Sequence, residues 1–287
     1  MLRIFYSRLR MEEKALYKAA ESRGVAFDFR DAAGLVWPDD FEGVGSGDVA
    51  LCRCVSQTQN IALTQLLEGR GVRTVNPLET MLICGDKAAT ASLLEKEKIP
   101  QPEWRVAVSP ETAVKAAESI GYPVVFKPVS GSWGRLLAKV SDREACEAIV
   151  EHKAHMGPAH SVLFIQKYVE KGGFDLRAVM IGGKTVTLMK RKSAHWITNT
   201  ARGATPEPCS TDPELEDLLN RTASAIGGDF LAVDVFSTPD GWVVNEVNGQ
   251  PEFHGSVAAT GIDVGGLMID YAISLHESYI KGGTSIG

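Results

Sequence analysis

The sequence predicts an α/β protein in which a small parallel sheet is followed by antiparallel strand pairs. Up to residue 84, short apolar strands alternate with helical segments, the pattern of a parallel sheet covered by helices. From residue 124 onward, strands come in pairs around glycine-containing turns, which indicates antiparallel hairpins. A chain of 287 residues can form more than one core, and we expect three units: 1–84, 85–165 and 166–287.

Composition limits the possible partners. Hydrophobic residues make up 44% of the chain and charged residues 23%, which are ordinary values for a soluble globular protein. The net charge of −6 gives no overall attraction to nucleic acid, and no apolar run approaches the length of a membrane span, so we expect neither partner. The five cysteines have no Cys-x-x-Cys spacing, which predicts reduced thiols and a cytoplasmic protein.

The first unit contains a candidate ligand-binding edge. Its predicted strands are 2–6, 25–29, 49–55 and 72–75, and its predicted helices are 12–23 and 61–68. Arg53 and the polar residues Ser56 and Gln57 lie at the carboxyl end of the third strand. Ligands bind at that edge in open α/β sheets, although a solvated loop is an equally good interpretation.

The second unit contains a glycine-rich segment between two strands. Its predicted elements are a helix capped by Asp86 over 87–97, a helix from Pro110 to Gly121, strands at 124–129 and 136–140, and a helix starting with the capping box Ser141-Asp-Arg-Glu144. Lys127 lies inside the first strand, and residues 130–135 form the glycine-rich segment. This segment differs from a Walker P-loop, whose loop leads into a helix. Its backbone N–H groups could cover phosphates, and a plain turn is the alternative.

The third unit is predicted to consist of hairpins and two helices. The elements are a strand at 162–169, a hairpin with strands 175–181 and 185–190, a helix capped by Thr211-Asp-Pro-Glu214 that runs to 226, and a closing helix from 263 to about 280. The basic run 190–203 lacks apolar periodicity, so we expect a surface loop there.

Residues 229–248 are predicted to form a hairpin that carries a metal site. Thr238-Pro-Asp-Gly241 favours a three-residue loop with a bulge, which pairs Thr238 with Trp242 and makes Asp234 face Glu246. Asn248 then points to the same side of the sheet. Two adjacent carboxylates repel unless a cation lies between them, and oxygen ligands suit Mg²⁺ better than Zn²⁺. An ordinary solvated sheet face is the alternative.

This order of elements resembles the ATP-grasp ligases, specifically the RimK-like branch and its LysX and ArgX ligases of lysine and arginine biosynthesis. The resemblance covers essentially the whole chain and is strongest at 53–57, 84–87, 131–140 and 191–203. It implies an ATP-grasp fold, with a small N-terminal parallel α/β (pre-ATP-grasp) domain and two lobes that clasp ATP.

The resemblance also implies roles for individual residues. ATP contacts would come from Lys87, Lys127, Gly131, Ser132, Trp133, Gly134, Arg135, Leu136, Leu137, Gln166, Lys167, Tyr168, Val169, Asp175, Arg177, Arg191 and Asn199. Two Mg²⁺ ions would be held by Asp234, Glu246 and Asn248, and catalytic charge would come from Lys127, Arg191 and Arg202. Substrate contacts would come from Thr200, Arg202, Gly203, Glu252, Phe253, Gly255 and Ser256.

In the family, a carboxylate is phosphorylated by ATP and the acyl phosphate is then attacked by an amine. The carboxylate is the side chain of the C-terminal glutamate of a small acidic amino-group carrier protein, and the amine belongs to 2-aminoadipate or glutamate. Relatives imply a homo-oligomer, a dimer or tetramer. Three alternatives stay open: a RimK-like ligase with another acceptor, a carrier-dependent enzyme of secondary metabolism, and a nucleotide-binding protein without ligase activity.

Gly255-Ser256 leaves the amino acid undecided. In the family, Asn followed by Thr or Ala at these positions accompanies 2-aminoadipate, and Gly followed by Phe accompanies glutamate. The present pair matches neither set in full. We expect Ser256 to leave a longer pocket than Phe would, and Ser256→Phe to shift preference towards glutamate.

Overall fold

The structure is a computed structural model that describes residues 1–131, 136–157, 160–198 and 203–283, with side chains as far as Tyr279. It contains three sheets in chain order, the first parallel and the other two antiparallel. The predicted α/β class and the change from parallel to antiparallel pairing are confirmed.

The first sheet has the strand order β2-β1-β3-β4. Its strands are β1 (Leu2–Tyr6), β2 (Phe27–Asp31), β3 (Val49–Arg53) and β4 (Arg73–Val75), and its helices are α1 (Met11–Ser22), α2 (Gln57–Glu68) and α3 (Leu78–Gly85), with two short 3₁₀ turns at Ala32–Gly34 and Asp39–Phe41. Helix α3 was not predicted. Helix α2 begins four residues before the predicted start, because the Ser56 hydroxyl accepts from the Gln59 N–H and caps it.

The second sheet has the order β5-β8-β6-β7, with all neighbours antiparallel. The elements are α4 (Lys87–Lys96), β5 (Trp104–Ala107), α5 (Pro110–Ile120), β6 (Val124–Pro128), β7 (Ala138–Val140), α6 (Arg143–Ala154) and β8 (Leu163–Lys167). Asp86 caps α4 as predicted. The predicted capping box at 141–144 is wrong, because the carboxylate of Asp142 caps α6. The predicted boundary between 165 and 166 falls inside β8.

The third sheet has the order β11-β10-β9-β12-β13. The elements are β9 (Phe174–Ile181), β10 (Lys184–Lys192), β11 (Thr205–Pro208), α7 (Pro213–Ile226), β12 (Phe230–Thr238), β13 (Gly241–Asn248), α8 (His254–Thr260) and α9 (Val264–Gly283). Strand β10 extends into the basic run that was predicted to be a loop. Asp212, rather than Thr211, caps α7.

The hairpin of β12 and β13 keeps the predicted pairing only at its inner end. Asp234 faces Glu246 as predicted, but Thr238 pairs with Gly241 rather than with Trp242. The loop therefore has two residues, and the Thr238 hydroxyl donates to the Gly241 carbonyl across it. The extra residue lies further along β13, where Asn245 is left without a partner on β12 and forms a bulge.

The first and third sheets share one apolar core. Side chains of β1 and β3 pack in one cluster with β9, Phe253 and helix α9. Among the residues described, the core of the second sheet is formed by side chains of its own strands and of helices α5 and α6. In the described part of the chain no single helix is long and apolar enough to cross a membrane. Helices α8 and α9 together reach that length and apolar composition, but they are bent by 116° relative to each other.

Candidate active site

A cleft lined by strands of the second and third sheets brings together most of the predicted site residues. Those that line it are Lys87, Lys127, Gly131, Leu137, Gln166, Lys167, Tyr168, Val169, Asp175, Arg177, Arg191, Asp234, Glu246, Asn248 and Glu252. The floor is the face of the third sheet on which the side chains of β9, β10, β12 and β13 alternate towards the cleft.

Charged side chains form a continuous row across this sheet face. Strand pairing places Arg191 opposite Asp175, Arg177 opposite Asp234, and Asp234 opposite Glu246. The alternation along β9 puts Asp175 and Arg177 on the same face. Strand pairing alone therefore brings five charged groups from four strands into the cleft.

The buried part of this row is an ion-pair chain. Arg191 is 2% exposed and donates to both oxygens of Asp175, at 2.6 and 2.8 Å, while its Nη2 lies 3.1 Å from Asp234 Oδ2. Arg177 donates to both oxygens of Asp234, at 2.7 and 2.8 Å. Burial opposes the ionisation of Asp234, but the two guanidiniums outweigh it and lower the pKa of Asp234 to about 2.

Lys171 and Thr198 complete the Asp175 end of the chain, and Lys171 is a residue that the sequence analysis did not select. The Lys171 ammonium is buried, donates to the Thr198 hydroxyl at 2.7 Å and lies 3.6 Å from Asp175 Oδ2. It also lies 4.5 Å from the centre of the Phe236 ring. A lysine in a glycine-containing turn carries no sequence signal for such burial.

Lys127 enters the cleft from the second sheet. It is buried, and its Nζ donates to the Asn245 Oδ1 at 2.8 Å. Burial lowers the pKa of Lys127 to about 8. Asn245 reaches this position because it is the bulged residue of β13, and sequence alternation alone would have turned it away from the Glu246 face.

The predicted metal ligands lie together, and their chemistry fits Mg²⁺. Among the described residues no group of three or more His, Cys, Asp or Glu side chains could hold a metal ion. Mg²⁺ needs only one or two carboxylates when phosphate oxygens and water complete its shell. Glu246 is 27% exposed and 4.0 Å from Lys87, so its carboxylate is available to an added ion. The Asn248 amide nitrogen is buried without a hydrogen-bond partner in the described part of the chain. As a donor it would meet a ligand oxygen, whereas the amide oxygen is the atom that would bind Mg²⁺.

Several predicted residues lie elsewhere. Phe253 is buried in the core shared by the first and third sheets, and Ser256 is fully buried with its hydroxyl 3.7 Å from the Met189 sulfur. The described residues that line the cleft do not include these two, Leu136, Gly203 or Gly255. Seven predicted residues lie outside the described ones: Ser132, Trp133, Gly134, Arg135, Asn199, Thr200 and Arg202.

Comparisons with known proteins agree with this architecture. Residues 84–272 match the RimK-like ATP-grasp domain and residues 2–83 match the LysX preATP-grasp domain. A glutamate–LysW ligase ArgX of Sulfurisphaera tokodaii is 35% identical over 95% of this chain and 97% of its own length. An alpha-aminoadipate–LysW ligase LysX of the same organism is 35% identical over 98% of this chain and 99% of its own length.

A solved structure supports the same assignment. The RimK domain ATP-grasp protein of Sphaerobacter thermophilus has a TM-score of 0.78 and 29% identity, and the match covers 94% of this chain and 98% of that one. The predicted ATP-grasp fold is therefore confirmed. This chain belongs to the RimK-like ATP-grasp ligases, and its first 83 residues include a LysX-type preATP-grasp domain.

Proposed function

We propose that this ligase joins the α-amino group of an acidic amino acid, 2-aminoadipate or glutamate, to the C-terminal glutamate side chain of a small acidic amino-group carrier protein. The observation that carries the proposal is the match of two LysW ligases over at least 95% of this chain, including the preATP-grasp domain. ATP would supply the energy through an acyl phosphate.

ATP would occupy the cleft along its lysine side. The backbone N–H groups of Lys167 and Tyr168 already donate to the carbonyls of Glu103 and Pro123. Adenine recognition at this segment would therefore fall to its carbonyls and to Val169. Lys87 and Lys127 would contact the phosphates as ammonium ions, and their positive charge would offset the charge of the transferred group.

Chemistry would take place beside Glu246 and Asn248. An oxygen of the carrier carboxylate attacks the γ-phosphorus and ADP leaves; the amine nitrogen then attacks the acyl carbon and phosphate leaves. Asp234, Glu246 and Asn248 would hold Mg²⁺, which supplies Lewis-acid charge to the phosphates. Arg191 already contacts two carboxylates, Asp175 and Asp234. Its role would therefore include holding Asp234 in place, in addition to any contact with phosphate.

The choice between glutamate and 2-aminoadipate stays open, because the chain is 35% identical both to the ArgX and to the LysX ligase. They differ by one methylene, which is worth about 10–200-fold in discrimination. We therefore expect both to be transferred at unequal rates.

The proposed dimer or tetramer can be tested by light scattering.

The direct test is the mass of the carrier after incubation with enzyme, ATP, Mg²⁺ and each amino acid. We expect a mass increase equal to one amino acid less water, dependent on ATP. A carrier that lacks its last glutamate, and the Glu246→Gln enzyme, are the matched controls and should give no product. An unmodified carrier with ATP turnover on a different acceptor would replace this proposal with that of another RimK-like ligase.

A further inference from the structure

A recess opens from the cleft towards the carboxyl end of the first sheet. It shares Gly131, Glu246, Asn248, Gln250 and Glu252 with the cleft, and its other walls include Arg10, Arg53 and Gln57. Its cavity volume is about 90 Å³, against about 160 Å³ for the cleft. The recess is thus the smaller of two connected spaces, and the cleft is the roomier one.

The chain after β13 builds this recess by docking on the first sheet. The Gln250 side chain donates to the Cys52 carbonyl and accepts from the Asn60 amide, while the Pro251 carbonyl accepts from Arg53 Nη2 at 3.3 Å. These contacts hold the segment that follows the candidate metal ligands against the end of β3. Arg53 and Asn248 consequently line the same small space.

Arg53 is the under-satisfied cation of this space. It is 2% exposed, and its Nε has no hydrogen-bond partner among the described residues. Glu13 Oε1 lies 3.4 Å from Arg53 Nε, which is an ion pair without hydrogen-bond geometry. The same carboxylate accepts from Arg10 at 2.8 and 3.0 Å, so Arg53 shares its counter-ion with a second arginine. A buried guanidinium with incomplete pairing is costly, so a carboxylate that pairs with Arg53 from the recess it lines is stabilised there.

The other charges around Arg53 are already matched. Arg10 holds Glu13 and also donates to Glu252 at 3.1 Å. Glu12 is paired with the His254 ring at 2.6 Å. Within the described part of the chain, Arg53 is therefore the residue of this group with a buried side-chain nitrogen that has no hydrogen-bond partner.

We infer that Arg53 binds the α-carboxylate of the carrier's C-terminal glutamate while its side-chain carboxylate reaches Glu246 and Asn248 for phosphorylation. This inference rests on the proposed function. A C-terminal glutamate has two carboxylates at opposite ends of a short carbon chain, and the walls of the recess include both the Arg53 guanidinium and the candidate metal ligands Glu246 and Asn248. Only the last residue of a chain has a free α-carboxylate, so Arg53 selects the terminal glutamate over internal acidic residues.

The test compares two forms of the carrier that differ only at the end of the chain. One has the free α-carboxylate and the other a C-terminal carboxamide, and both keep the glutamate side chain. For the wild-type enzyme we expect kcat/KM for the amide to be lower by about 10–150-fold, the range for a charge-assisted hydrogen bond. Arg53→Gln should bring this ratio close to one, and Arg53→Lys should restore part of it.

The ratio is measured within one enzyme preparation, so partial misfolding of a variant does not change it. Arg221→Gln, at an exposed site on α7, is the matched arginine control and should keep the wild-type ratio. The KM for ATP should stay unchanged in all variants.

Wild-type enzyme that modifies both carriers equally well would overturn the inference and leave the proposed function standing. A raised KM for the amino acid in Arg53→Gln, with the acid-to-amide ratio intact, would also overturn it by assigning Arg53 to the other substrate. Modification of neither carrier would remove the proposed function itself, together with this inference.

Discussion

Asp234 and Glu246 face each other on one sheet, yet their replacement should lower the stability of the fold to very different extents. Asp234 is 4% exposed and accepts three short contacts from Arg177 and Arg191. Glu246 is 27% exposed, with Lys87 at 4.0 Å. Removing one partner of a buried ion pair costs about 3–5 kcal/mol, whereas a partly exposed pair at 4.0 Å, which is too long for a hydrogen bond, contributes about 0–1 kcal/mol.

These values convert into melting temperatures. For a protein of this size, each kcal/mol shifts Tm by about 2 °C. Asp234→Asn should therefore lower Tm by about 6–10 °C, and Glu246→Gln by about 2 °C or less. Both variants should lose ligase activity, because both remove a candidate Mg²⁺ ligand. Thermal melting without nucleotide or metal, followed by the carrier mass assay, measures both effects.

Melting at acid pH tests whether the stability difference between wild type and Asp234→Asn comes from the charge of Asp234. The pKa of Asp234 is lowered from 3.8 to about 2, so the stability that its charge contributes is fully present above about pH 4 and is lost as the pH falls towards 2. The Tm difference between wild type and Asp234→Asn should shrink over that range. Glu207→Gln, at an exposed pair with Lys192 on the same sheet, is the control for an ordinary surface carboxylate. Equal Tm shifts for Asp234→Asn and Glu246→Gln would refute this reasoning.

Three further predictions concern the cleft and its surroundings. Binding of a non-hydrolysable ATP analogue should weaken as the pH rises through about 8, where Lys127 loses its proton, and calorimetry should show no such loss for Lys127→Arg. Asn245→Ala removes the amide that accepts from Lys127 and should move this weakening to lower pH; an unchanged pH profile would mean that the amide does not hold the ammonium. Ser256→Phe should lower Tm by about 2–6 °C, because it places a ring against the Met189 sulfur in a fully buried site, whereas Ser256→Ala should melt near wild type. If Ser256→Phe keeps its Tm and shifts preference to glutamate, the position acts in substrate choice as the sequence predicts.

The sheet face was predictable from the sequence because side-chain alternation depends only on local spacing. Asp234 and Glu246 pair as predicted, although the loop between them was predicted one residue too long. The loop is one residue shorter than predicted, but β13 contains one extra residue, Asn245, at the bulge. The two differences cancel, so the predicted pairing of Asp234 with Glu246 is kept. The position of the bulge could not be derived from sequence, because the hydrogen bond that Asn245 accepts there comes from Lys127 on another sheet, a contact that local spacing does not reveal.

Residues whose roles depend on distant contacts were harder to identify. The basic run that contains Arg191 was predicted to be a surface loop, because it has no apolar periodicity. In the structure, strand β10 continues as far as Lys192, and the Arg191 side chain is buried against Asp175. Arg53 was predicted to lie at a candidate ligand-binding edge, with a solvated loop as an equal alternative, and no ligand group was assigned to it. Its unpaired Nε depends on where Pro251 and Glu13 lie in the folded chain.

The separate core of the second sheet has a consequence for how the chain can be altered. Helix α4 packs its Leu94 into the core of the third sheet, and α9 covers the first, so residues on both sides of 104–167 belong to one continuous body. The second sheet with α5 and α6 is then an insertion whose core is self-contained. It is the segment that could be exchanged as a cassette between relatives, with junctions near Pro102 and Val169. The segment that we propose to contact adenine would be transferred with it, while Asp234, Glu246 and Arg53 would stay in the recipient.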